Sequence, residues 1–437
     1  MTDEAKPTGG DGDGGLLGLA ALALAAGALS GLIGAIFRLS LESADGLRNE
    51  LIAWAHGLGA LGFFFVVVPS ALSTALAAWL VSRYSPQASG SGIPHVEAVI
   101  RGELPQAPFR LIPVKFFGGL LAIGAGLALG REGPSVQMGA SLSNLVGKIF
   151  GRTQADCRVL VASGAGAGLA TAFNAPIAGA VFVLEELVQR FEHRIAIAAL
   201  GASATAIAIA RLLIGDSPDF RVSALGDSDA GIRPLYFIFG AFAGLLAIAY
   251  NRSLVATVAA ANRLDAPKEL RAGLVGAAVG ILAWFAPDLV GGGDPITQNI
   301  LAGGASLAAV PIAFLVRFAL GSISYAAGTP GGLFAPMLVL GAQFGFLAGG
   351  ACRFILPNLD VQPEAFAIVG MAAFFTGVVR APVTGIVLVA EMTANVTMLL
   401  PMLCACSVAM LITALLNEPP IYETLRGRLL RAGDGAR

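Results

Sequence analysis

Apolar runs follow one another with little interruption from residue 15 to residue 416. They cover 15–37, 60–82, 111–129, 135–150, 159–186, 196–214, 232–261, 271–289, 307–327, 333–355, 364–379, 382–393 and 396–416. Some of them, such as 382–393, fall short of the roughly 20 residues a helix needs to cross a bilayer. Gly- and Pro-rich breaks separate the runs. Short, interrupted apolar helices are tolerated at membrane depth only where protein or a cavity shields their ends. The pattern therefore predicts an all-α polytopic membrane protein with broken or re-entrant helices.

Composition supports the same class. The chain is 56% hydrophobic and 13% charged, whereas a soluble domain carries about a quarter charged residues. Its 57 glycines suit helices that approach closely in lipid. A net charge of −1 argues against a nucleic-acid partner. The four cysteines read as small core residues, and no metal-ligand set or cofactor motif emerges. Residues 1–15 lack the basic start of a signal peptide and read as a disordered tail.

The chain repeats itself. Gly90-Ser91-Gly92-Ile93-Pro94 matches Gly291-Gly292-Gly293-Asp294-Pro295, and Lys115-Phe116 matches Arg317-Phe318. Pro134 with Gly139-Ala140 matches Pro336 with Gly341-Ala342. Ala175-Pro176 through Glu185 matches Ala381-Pro382 through Glu391. Gly31-Leu32 with Ser40-Leu41 matches Gly244-Leu245 with Ser253-Leu254. The order is the same in both halves, which predicts a duplication. The first repeat spans 16–215, a linker 216–231, the second repeat 232–417, and a C-terminal helix and tail 418–437. Such repeats place the transport site at their interface. Ser91, Glu132 and Glu186 are polar in one half only; their mates are Gly292, Phe334 and Met392.

Three motifs open helices after glycine-rich turns, at Gly90–Pro94, Gly130–Pro134 and Gly331–Pro336. Each is expected to start a short helix. Helix N-termini present unpaired N–H groups and about half a positive charge. Converging in the membrane, they make an anion site of partial charges, weak enough for the ion to leave. Glu132 is an ionisable residue inside one of the most apolar regions of the chain, and such residues mark ion or proton paths.

Together Gly-Ser-Gly-Ile-Pro at 90–94, Gly-Arg-Glu-Gly-Pro at 130–134 and Gly-Leu-Phe-Ala-Pro at 332–336 resemble the signature motifs of the CLC chloride channels and chloride/proton exchangers. Pro113–Gly119 and Phe173-Asn174-Ala175-Pro176 resemble further stretches of the bacterial members that lack CBS domains. The resemblance implies the CLC fold, with two inverted-topology repeats of tilted and re-entrant helices, as a homodimer in the bilayer. It implies chloride and protons as the transported partners. Ser91, the backbone of Leu333 and Phe334, and Tyr422 would bind the central chloride. The backbone of Arg131 and Gly133 would hold an outer one. Glu132 corresponds to the external gating glutamate and Glu186 to the internal proton-transfer glutamate. Both glutamates are present, so the implied activity is chloride/proton antiport, with a passive chloride channel as the alternative. An intramembrane enzyme is disfavoured by the lack of a nucleophile–base pair.

Other polar residues read more simply. Lys115 and Arg317 share a structural or field role, and Glu391 is structural. Glu185 faces a polar cytoplasmic mouth. Glu97 forms an ion pair, and His95 lies at the surface near a helix start. Basic residues around Arg83, Arg101, Arg110, Arg190, Arg194, Arg426, Arg428 and Arg431 place those regions and both termini in the cytoplasm by the positive-inside rule. The resemblance points to the bacterial inner membrane. The segments 175–187, 196–214, 382–393 and 396–416 match the family's dimer surface.

Overall fold

Glycine- and proline-rich breaks end one helix and open the next throughout the chain. A computed structural model describes residues 13–222 and 230–434. Of the expected N-terminal tail, residues 1–12 lie outside the described residues, as do 223–229 of the linker and 435–437 of the C-terminal tail. The first half contains α1 (Asp13–His56), α2 (Ala60–Tyr84), α3 (Ile93–Ile100), α4 (Leu111–Gly124), α5 (Glu132–Ile149), α6 (Gln154–Phe173), α7 (Pro176–Phe182) and α8 (His193–Ile214). The second half repeats this order as α9 (Arg233–Arg263), α10 (Lys268–Phe285), α11 (Asp294–Leu301), α12 (Val310–Ala326), α13 (Phe334–Ile355), α14 (Pro363–Val379), α15 (Pro382–Thr393) and α16 (Leu399–Leu415). A final helix, α17 (Ile421–Asp434), closes the chain.

The local geometry repeats too. Gly92 before α3 and Gly293 before α11 both adopt positive φ, at 85° and 95°. The apolar run 159–186 is not one helix. It breaks after Phe173, where Asn174 adopts φ 50° and Pro176 opens α7; Arg380 (φ 67°) and Pro382 do the same between α14 and α15. Residues before a proline are pushed out of the α region, which is why both breaks fall there. Conversely, α1 runs on to His56, well past the apolar run at 15–37, and α5 and α13 are 18 and 22 residues long. The sequence reading expected short helices after those two motifs. Polar side chains do not end a helix whose backbone can continue.

Among the described residues, five helices are long and apolar enough to cross a membrane: α1, α2, α8, α9 and α13. The shorter α15, at 12 residues, is about 18 Å long, less than the roughly 30 Å hydrocarbon core. It packs against its mate α7, α2 packs against α10, and α6 and α14 lie buried at the centre. Small residues permit this. A methyl group added at Gly139 would sit 2.3 Å from the Gly164 carbonyl oxygen, and one at Gly341 2.4 Å from that of Gly370, so α5–α6 and α13–α14 touch backbone to backbone.

Candidate functional site

The three glycine-rich loops are stitched together by their own backbones. Gly130 N–H donates to Gly332 O at 2.9 Å and Gly332 N–H returns a bond to Gly130 O at 2.7 Å. Gly90 N–H donates to Thr329 O and Gly331 N–H to Gly90 O, both at 3.1 Å. The starts of α3, α5 and α13 thus meet at one place, two from the first half and one from the second.

The repeat mates Lys115 and Arg317 hold the equivalent loops. Both are almost fully enclosed. Lys115 Nζ donates to Ala88 O at 3.0 Å and Gly90 O at 2.7 Å. Arg317 donates to the carbonyls of Leu289, Gly291 and Gly292 at 3.1, 2.6 and 2.8 Å. A buried cation needs partners to offset its desolvation, and here loop carbonyls supply them.

Glu132 sits at that meeting point, fully buried. Its Oε1 accepts the N–H of Phe334 at 2.6 Å, a charge-assisted length. Its Oε2 has no partner. A Cβ on Gly130 would fall 2.0 Å from Oε2, and one on Gly332 2.1 Å from Oε1. The carboxylate fits only because both neighbours lack side chains. Ser91 Oγ and Tyr422 Oη are also fully buried and make no hydrogen bond that meets normal geometry, with each other or with other groups. Buried polar atoms are nearly always paired, so three unpartnered ones, Glu132 Oε2, Ser91 Oγ and Tyr422 Oη, point to a ligand position. Phe334 is caged by Phe173, Phe182, Phe375 and Tyr422, with ring centroids 4.7–6.2 Å away, which fixes the direction of its N–H. Leu333 is fully buried beside it. Arg131 and Gly133 belong to the first turn of α5, where N–H groups have no intrahelical acceptor.

A family described as voltage gated chloride channel matches residues 73–414. The chain belongs to this CLC family. It is 36% identical over 417 residues to the H(+)/Cl(-) exchange transporter ClcA of Vibrio parahaemolyticus, covering 94% of this chain and 89% of the relative. It is 36% identical over 423 residues to the ClcA of Cronobacter sakazakii, covering 95% and 91%. Its fold matches the crystal structure of a slow cyanobacterial Cl-/H+ antiporter with a TM-score of 0.90 at 32% identity, covering 94% of this chain and 98% of that one.

The CLC fold places the second glutamate apart from the first. Glu186 lies on a single π-helical turn, Val183–Leu187, that follows α7. Such turns re-aim side chains and recur at functional sites. Glu186 is 6% exposed and accepts no hydrogen bond among the described residues. Its charged neighbours are Glu97, Glu185, Glu423 and Arg101. Glu97 is paired: its Oε1 is 2.5 Å from Arg426 Nη1 and 2.9 Å from Arg101 Nη2. His95 is 5% exposed, so the expectation of a surface histidine fails; α3 is re-entrant and its whole first turn is packed in protein.

Glu185 and its repeat mate each reach across to the other half. Its carboxylate accepts from Val383 N and Thr384 N, at 3.0 and 2.7 Å, at the start of α15. Its mate Glu391 accepts from Ile177 N and Ala178 N, at 3.1 and 2.8 Å, at the start of α7. Each half caps the other half's helix.

One part of the site was missed from sequence. A cavity of about 790 Å³ reaches Gly130, Arg131 and Ala335, the residues that flank the buried Glu132. Asp219 lines it, from the segment that follows α8. Its carboxylate, 4% exposed, is 2.8 Å from Arg38 Nη1 and 3.4 Å from Arg131 Nη2. The segment is pinned by Phe220 N–H to Met392 O at 2.9 Å and by Gln298 to both backbone groups of Arg221. A linker aspartate carries no motif, and its partners lie 88 and 181 residues away in the chain, so no sequence signal marked it.

Proposed function

We propose that this protein exchanges chloride for protons across a bacterial inner membrane, as a homodimer with both termini in the cytoplasm. The observation that carries the reading is the Glu132 carboxylate held on the N–H of Phe334 beside the orphan hydroxyls of Ser91 and Tyr422. A carboxylate and chloride are rival acceptors for the same donors. With Glu132 ionised, its oxygen occupies an anion position. With Glu132 protonated, the charge-assisted hold is lost and chloride can take the seat. Ser91, Leu333, Phe334 and Tyr422 would bind the central chloride, and Arg131 and Gly133 the outer one.

Glu186 gives the proton a second stop, buried and without a hydrogen-bond partner among the described residues. The names of the relatives favour antiport over a passive channel. No cofactor is needed: chloride is cargo, and partial charges hold it. The dimer surface would be the apolar face of α7, α8, α15 and α16, where Ile177, Leu200, Val383, Leu403 and Leu411 are all more than half exposed.

Chloride and proton fluxes measured together in liposomes test the reading. Uphill proton movement driven by a chloride gradient is expected, and lost in Glu186→Gln with chloride flux retained. Chloride flux without coupled protons in the unaltered protein would replace antiport with a channel.

A further inference from the structure

A second cavity, of about 590 Å³, lies between the C-terminal end of α5, the start of α6 and the loop after α3. It is separate from the ion pathway and is lined by three cations, Lys148, Arg152 and Arg158. Among the described residues neither Lys148 nor Arg158 has an ion-pair partner. Arg152 is shared with Asp156, which is also held by Arg194. Glu103 lines the cavity too but lies 3.5 Å from Arg426.

The cavity has a polar wall as well as a basic rim. Asn144 is 9% exposed, lines it, and its side-chain amide makes no hydrogen bond among the described residues. Gln106 spends its Nε2 on Ser141 Oγ at 3.1 Å, while its enclosed Oε1 has no donor. The 20-residue helix α6 starts at the rim, with its first N–H groups and positive pole. Beside it Ile149 and Phe150 stand 69% and 64% exposed, an apolar surface next to the basic rim.

We propose that this cavity binds a phosphate group bearing a hydroxylated substituent, the chemistry of an anionic glycerophospholipid headgroup. Phosphate oxygens would meet Lys148, Arg152, Arg158 and the Asn144 amide. A headgroup hydroxyl would donate to Gln106 Oε1, and an acyl chain would lie against Ile149 and Phe150. Basic pockets between membrane helices bind such headgroups on the cytoplasmic side. The assignment to the inner leaflet rests on the cytoplasmic orientation proposed above; the binding itself does not.

The test uses the full chain in neutral detergent, so it is independent of orientation and of antiport. Thermal unfolding is followed with added dioleoylphosphatidylglycerol, with dioleoylphosphatidylcholine, or with inorganic phosphate. The phosphatidylglycerol midpoint should exceed the phosphatidylcholine midpoint by at least about 2 °C. The excess should vanish in Lys148→Gln/Arg158→Gln and in Asn144→Ala, with chloride flux in phosphatidylcholine vesicles showing that the variants are folded. If inorganic phosphate alone gives the same variant-sensitive rise, the phosphate site stands and its source is the free anion. No rise with either ligand, or a rise that survives in both variants, overturns the proposal.

Discussion

Glu132 and Phe334 occupy equivalent places in the two halves, and the carboxylate of the first accepts the backbone N–H of the second at 2.6 Å. One repeat thus supplies a tethered anion and the other the donor that holds it. Glu132→Gln removes the charge while keeping the shape. Proton transport should fall to background in liposomes while chloride flux continues. In the unaltered protein chloride flux should rise as pH falls, because protonation frees the seat; in the variant the profile should be flat. A pH dependence that survives the substitution would assign the gate to another group.

Asp219 pairs with Arg131, the neighbour of Glu132, at 3.4 Å. An aspartate that pairs with two arginines lowers the positive potential of the vestibule, and such fields set capture rates. Asp219→Asn should leave Arg38 with Glu42 alone and Arg131 with Asp294 alone, and raise chloride uptake through this vestibule about 2- to 5-fold at low ionic strength, less at high. Flux measured against salt concentration with an inert anion checks this. An unchanged or reduced rate would mean the pairing is structural only.

Glu185 and Glu391 each accept two N–H groups at the start of the partner half's short helix. Replacing a capping carboxylate costs about 1–2 kcal/mol. Glu391→Gln and Glu185→Gln should each lower the thermal midpoint and leave the chloride-to-proton ratio unchanged. A changed ratio in Glu185→Gln alone would place that residue in the proton path.

Arg426 ties α17, which begins beside Tyr422, to Glu97 on α3, which begins beside Ser91. The pair therefore ties the helix that carries Tyr422 to the helix that follows Ser91. Breaking a buried pair from one side costs about 3–5 kcal/mol, less here because Arg101 still pairs with Glu97 at 2.9 Å. Arg426→Met should be less stable than Glu97→Gln/Arg426→Met, and both should weaken chloride binding, read by calorimetry. Equal chloride affinity in all three proteins would show that the gate is held by packing alone.

Much of the architecture was legible in the chain. The short run 382–393, preceded by Arg380-Ala381-Pro382, reported a broken helix, because proline and positive-φ residues act through local sterics; the matching break at Asn174-Ala175-Pro176 lay inside the run read as 159–186 and emerged only from the structure. The repeat reported the equivalence of Lys115 with Arg317 and of Glu185 with Glu391. Glu97 was expected in an ion pair and is in one. His95 was read as exposed because a polar residue near a helix start is ordinarily solvated; re-entry into the protein reversed that.

By itself the sequence determined what is local or periodic: helix class, break points, duplication, and a carboxylate whose presence in an apolar stretch demanded a purpose. Tertiary structure alone decided which groups meet. Nothing in the chain says that Glu185 and Glu391 exchange caps, that Asp219 reaches back to Arg38, or that Gly332 makes room for Glu132. Those contacts join residues about 180–215 positions apart, and they exist because two inverted halves lay their helix ends against each other, where unpaired N–H groups must find acceptors.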